Sequence, residues 1–158
     1  MNSQTLSLRS IADMAAPRAL RRVVEAVECV PLSLVQVMGR VALASLFWKS
    51  AQSKLASWEI TQQLFAYEYQ VPLLSPELAA VLGTAAELGG AVLLFFGLMT
   101  RFGALALLGV TATIQLFVFP GNWGEHLLWA SLLILLIARG GGVLSCDYLL
   151  TRLLTAGR

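Results

Sequence analysis

Arg40 and Glu87 are the side chains of this sequence most in need of a chemical explanation. Each interrupts an apolar run, Arg40 in "PLSLVQVMGRVALASLFW" and Glu87 in "AELGGAVLLFFGLM". The chain around them is 58% hydrophobic and only 13% charged, with a mean hydropathy of +0.75, a balance far from that of a soluble domain. In such surroundings a lone charge costs roughly 2.5–3.5 kcal/mol at the centre of a bilayer, so the expected arrangement is a pair. If the two runs are antiparallel helices, Arg40 and Glu87 fall at similar depth, about eight and nine residues from the outer ends at Trp48 and Leu78. Two roles stay open for an Arg40–Glu87 pair: a clamp that fixes the rotation of two helices, or the lining of a cavity where a head group or proton is handled. Gly83, Ala85, Ala86, Gly89 and Gly90 would let a neighbouring helix or a flat ligand approach Glu87.

Four other residues are candidate contacts for a head group or ligand: Lys49, Lys54, Tyr69 and His126. Lys49 and Lys54 follow the first apolar run and form either interfacial anchors or a basic spot for an anionic or quinone-like group. His126 is the one histidine and has no ligand-spaced partner, so no metal site is expected. Cys29 and Cys146 do not form a CxxC pair and are expected to face a reducing compartment, so neither a disulfide nor thiol exchange is expected.

The elements that must hold these residues are membrane spans. Four runs approach the roughly 20 residues a crossing needs: Pro31 to Trp48, Leu78 to Met99, Phe102 to Phe119, and Glu125 to Leu144. The short "MTRFG" turn makes the second and third antiparallel neighbours, and "FPGNWGEH" separates the third from the fourth. On this layout Arg9, Arg18, Arg21, Arg22, Arg101, Arg139, Arg152 and Arg158 lie on one side and Lys49 and Lys54 on the other. The positive-inside bias then puts both termini in the cytoplasm. A cleaved signal peptide is disfavoured, because some thirty residues would precede its apolar core and Arg40 would interrupt it. After Pro17, Leu20, Val23, Val24, Val27 and Val30 recur at helical spacing, which predicts an amphipathic helix on the cytoplasmic surface. "LASWEITQQLFAYEYQVPLLSPE" is too polar to cross and too aromatic for a free loop, and is expected to lie over the outer rim as a lid, either covering a ligand or serving as an ordinary aromatic belt that anchors the span ends. The expected fold is therefore all-α: a four-transmembrane-helix bundle with an N-terminal amphipathic surface helix and an outer interfacial lid segment. Residues 1–30 form a cytoplasmic segment, 31–150 the membrane domain and 151–158 a cytoplasmic tail.

Four pieces in order resemble the DoxX family of small four-helix integral membrane proteins. "GRVALASLFWKSAQSKL" is similar to its first-span signature through Arg40, Phe47, Ala51, Lys54 and Leu55. "EYQVPLLSPELAA" is similar to its outer loop, and "AELGGAVLLFFGLMTRFGAL" to its Glu-containing second span with the turn Gly97, Leu98, Thr100 and Arg101. "RGGGVLSCDYLL" is similar to its tail, Asp147 matching the family's Asp. Ala51 stands where the family usually has Gly, and Cys146 where it usually has Leu. The resemblance implies structural roles for Phe47, Gly97, Thr100, Arg101 and Asp147, and a place in the bacterial inner membrane. It also implies an accessory subunit of a quinone-linked redox or oxidative-stress system. The chain shows no haem, flavin or iron–sulfur motif, so a partner protein would carry electrons, and the expected cofactor is a non-covalently held quinone at most. The alternative is a non-catalytic membrane partner in maturation or export of a small metal-binding modified peptide. Besides the lipid bilayer, the expected partners are thus a redox protein or an exported peptide, with a homo-oligomer open and no nucleic acid, for which a formal charge of +2 is too small.

Overall fold

The computed structural model describes Arg22 and residues 30–156. The chain divides after Leu32, and the architecture below is that of the unit Ser33–Arg158. The amphipathic helix expected after Pro17, and Cys29, lie outside the described residues. Those that are described form helices and no strand. Helix α1 is Leu32–Ala56, α2 Trp58–Leu64, α3 Pro76–Phe96, α4 Thr100–Thr113, α5 Trp123–Arg139 and α6 Cys146–Ala156. A π-helical turn, Phe65–Tyr69, continues α2, and a second, Ile114–Val118, continues α4. Among the described residues two helical stretches, Pro76–Phe96 and Thr100–Val118, are long and apolar enough to cross a membrane.

Local chemistry sets these boundaries. Ser75 caps α3 by accepting from the Leu78 amide at 3.3 Å, with Pro76 in the first turn where its missing N–H is harmless. Gly97 ends the helix in the left-handed region at φ 64°, and Leu98 N–H returns to Leu93 C=O. Met99, at φ 44°, then opens α4. The turn therefore occupies the three residues 97–99, and α3 and α4 pack side by side. Their approach is close at Gly90, where an added Cβ would lie 2.5 Å from Leu107 Cγ. Gly89, by contrast, meets nothing within 4 Å.

One apolar core draws on four helices: Leu43 and Phe47 of α1, Leu94 of α3, Leu107 of α4, and Leu133 and Leu136 of α5. A smaller cluster forms where Phe65 packs on Ala79 and Ala80, flanked by Trp58, Tyr69 and Val71. It seats the aromatic connection on the first turns of α3. The outer surface is apolar as well, with Leu82, Phe96, Phe102, Leu105, Leu116 and Leu128 all exposed. A soluble monomer seldom shows so much contiguous hydrocarbon.

Two helix ends differ from the sequence reading. α1 does not stop near Trp48 but continues to Ala56, because "KSAQSKLA" lowers the hydropathy without containing a Gly or Pro to break the helix. α5 stops at Arg139 rather than near Leu144, since Gly140 and Gly142 adopt φ 76° and 82°. After that loop α6 crosses position 150 without a break and buries none of its residues.

Candidate functional site

The longer α1 changes the partner of each buried charge. Arg40 lies sixteen residues before the helix end at Ala56, so at 1.5 Å per residue it is about 24 Å from that end rather than level with Glu87. The expected Arg40–Glu87 pair is therefore not formed. Arg40 is 3% exposed and spends its guanidinium on backbone carbonyls. Nε donates to Leu94 O at 2.8 Å, Nη2 to Phe95 O at 2.9 Å, and Nη1 to Gly141 O and Leu144 O, both at 2.9 Å. Leu94 and Phe95 are at the C-terminal end of α3, where carbonyls have no i+4 amide within the helix, Leu94 O sharing its acceptance with the Gly97 amide at 3.1 Å, and where the helix dipole favours a cation. Arg40 thus ties α1 to the end of α3 and to the loop after α5.

Glu87, 2% exposed, is answered by Lys54, 17% exposed. Lys54 Nζ donates to Glu87 Oε1 at 2.7 Å, to Oε2 at 2.6 Å and to Ser50 Oγ at 2.8 Å. A lysine has three ammonium protons, so this geometry uses all of them. Thr61 Oγ1 donates to Lys54 O at 2.8 Å, joining the end of α1 to α2.

The pair opens onto a cavity of about 530 Å³, within the range of small-molecule sites. Its walls are mostly apolar, with Leu46, Phe47, Val110, Ile114, Val118 and Trp129 among them. Lys54, Glu87, Tyr69 and His126 all line it, so three of the four expected head-group contacts meet in one place. Lys49 is exposed and does not line it. The two π-helical turns pack against each other, and Tyr69 meets Phe119 edge-on with ring centroids 6.5 Å apart. π turns re-aim side chains by one residue and recur at functional sites. Burial, followed by the charges of Glu68 and Glu87, raises the Tyr69 phenol above its ordinary pKa, so the hydroxyl keeps its proton at neutral pH.

His126 is 3% exposed, with its ring centroid 5.0 Å from that of Trp129 and Nδ1 2.6 Å from Gln115 Oε1. Gln115 Nε2 donates to Pro120 O at 2.9 Å. Sequence reasoning did not single out Ser50, Gln115 or Trp129. For Gln115 a signal was present: an amide inside the apolar stretch "TIQLFVF" needs a buried partner. Among the described residues no group of three or more His, Cys, Asp or Glu could hold a metal ion.

Of the remaining motif residues, Gly97, Thr100 and Asp147 gather at the Arg40 end. A Cβ on Gly97 would lie 2.6 Å from Arg40 Cζ. Asp147 accepts from Met99 N at 2.7 Å and Thr100 N at 2.9 Å, capping α4 from the start of α6. Its own amide donates to Gly97 O at 3.0 Å. Thr100 is buried, Arg101 is exposed, and Phe47 is buried with its ring edge-on to Trp129 at 5.9 Å. Residues 35–120 match the family model for DoxX. The chain belongs to the DoxX family. No curated protein and no solved structure matches it. For this DoxX-family chain the motif residues therefore divide in two: Arg40, Gly97, Thr100 and Asp147 secure one end of the helices, while Phe47 and Lys54 belong to the cavity.

Proposed function

We propose that this DoxX-family protein crosses the bacterial inner membrane four times, with both termini in the cytoplasm, and acts as an accessory subunit of a quinone-linked redox or oxidative-stress system. The ring of a quinone enters the cavity, and its polar groups meet the Lys54–Glu87 end. The observation that carries this reading is a buried ion pair placed in the wall of an apolar cavity of about 530 Å³. A pair serving only as a clamp has no need of such a space, and a flat apolar ring with polar edges suits both parts of it. The four crossings are supported by the four-helix core and the exposed apolar surface, and the orientation by the Lys/Arg asymmetry. The chain's own residues bind and orient the ring, and the electron carrier belongs to a partner.

Gly109 provides the test. It lines the cavity, and a Cβ there meets nothing within 4 Å. It lies inside α4, where leucine is a better helix former than glycine. Gly109→Leu should therefore keep or raise the melting temperature while reducing saturable binding of decylubiquinone to protein in lipid nanodiscs at least about tenfold. Absence of saturable binding by the unaltered protein, above that of empty nanodiscs, would overturn the proposal. A second reading, a membrane partner that docks an exported modified peptide, draws on Ile60, Tyr67 and Leu73, exposed on the aromatic connection. Gly109→Leu would leave that function intact, which separates the two.

A further inference from the structure

The hydrogen bonds around the cavity assign a proton on His126. Gln115 Nε2 is committed to the Pro120 carbonyl, which orients the amide so that Oε1 is the atom presented to His126. Oε1 can only accept, so Nδ1 carries the proton, and in the neutral ring Nε2 has a lone pair. Among the described residues nothing hydrogen-bonds Nε2, and the sealed polar atoms without partners are Thr84 Oγ1 and Thr100 Oγ1. His126 lines the cavity, so that lone pair is left for whatever occupies it.

The other buried polar group of the lining, Glu87, is also an acceptor. All three Lys54 protons go to Glu87 and Ser50, so the ammonium has none to offer. The Glu87 carboxylate, with about four lone-pair sites, has used two of them on Lys54. The Ser50 and Tyr69 hydroxyls can turn to donate, and the Asn122 amide and the Trp129 indole N–H of the lining are donors too, but the two most buried polar residues of the lining, Glu87 and His126, present acceptors. A quinone carbonyl accepts and cannot donate, whereas a hydroquinone carries two donor hydroxyls.

We infer that the cavity selects the reduced, hydroxyl-bearing form of its ring, with His126 Nε2 a binding contact that accepts from a ring hydroxyl and Glu87 a second fixed acceptor. This rests on the reading of the cavity as a quinone-type site and names which redox form it favours. One extra charge-free or charge-assisted hydrogen bond corresponds to roughly a tenfold preference. A tenfold preference for the reduced form raises the midpoint of the bound two-electron couple by about 30 mV.

Equilibrium dialysis of the full chain in nanodiscs, under nitrogen, tests this with three probes of one ring: duroquinone, durohydroquinone and the hydroquinone's dimethyl ether, which cannot donate. Durohydroquinone should bind about tenfold more tightly than either of the others. The preference should fall by at least about threefold in His126→Phe, which keeps a ring against Trp129 and leaves Glu87 as an acceptor. Equal or tighter binding of duroquinone by the unaltered protein overturns the inference and leaves the quinone reading standing. Saturable binding of none of the three overturns both. A His126→Phe protein that retains the full preference removes His126 as the contact. The comparison of probes on the unaltered protein decides the main claim even if the variant does not fold.

Discussion

Replacing Lys54 by methionine should be one of the most damaging single changes in the cavity, and the structure gives its size. The substitution keeps the length of the stem but removes the partner of a carboxylate that is 2% exposed and whose two oxygens are held at 2.7 and 2.6 Å. Charge-assisted hydrogen bonds contribute about 1.5–3 kcal/mol each, in line with the roughly 3–5 kcal/mol lost when a buried pair is broken on one side. The reverse change should be milder. Lys54 is 17% exposed and can turn to water or lipid head groups when Glu87→Leu removes its partner, at a cost of about 1–2 kcal/mol. The double variant leaves no buried charge and should come within about 1–2 kcal/mol of the unaltered protein. A double-mutant cycle in detergent, read by reversible unfolding, should therefore return a coupling of about 3 kcal/mol between positions 54 and 87. The cycle of Arg40→Met with Glu87→Leu should be additive within about 0.5 kcal/mol, because those residues share no partner. Additive behaviour at 54 and 87, or strong coupling at 40 and 87, would refute the assignment.

Gly97→Ala should lower stability by at least about 1–2 kcal/mol in the same unfolding assay, since φ 64° is costly for alanine and its Cβ would strike the Arg40 guanidinium. Asp147→Ala removes the acceptor for the Met99 and Thr100 amides and should cost about 1–2 kcal/mol, with Asp147→Asn recovering part of it. For orientation, a cysteine introduced at Asn122 should react with an impermeant thiol reagent added outside intact cells and one at Asn2 should not; labelling at Asn2 alone would invert the topology.

Much of the fold was legible because apolar runs and their breakers are local. Ser75 and Pro76 announce α3, and Gly97 ends it in the short turn that fixes α3 against α4. The gathering of Lys54, Tyr69 and His126 was also foreshadowed, since each is a polar tip in an apolar or interfacial stretch. The partner of Glu87 was not legible, for a physical reason. Hydropathy marks where lipid ends, whereas hydrogen bonding marks where a helix ends, and α1 runs past the first boundary to Ala56. Counting depth from Trp48 moved Arg40 toward Glu87 and left Lys54 outside the span. The carbonyls that hold Arg40 carry no sequence signal at all, because every residue has one. Gln115 and the π turns depend on a tertiary fit, His126 lying eleven residues beyond Gln115 in the next helix.

The claim that the cavity receives a quinone ring is tested most directly by photolabelling. An azido-substituted short-chain quinone, illuminated on membranes containing the full chain and analysed by peptide mass spectrometry, should modify cavity residues such as Tyr69, Val110 and Trp129. Excess unlabelled quinone should suppress that modification. Labelling confined to outward-facing residues such as Phe102 and Leu105, or labelling that unlabelled quinone does not suppress, would contradict it.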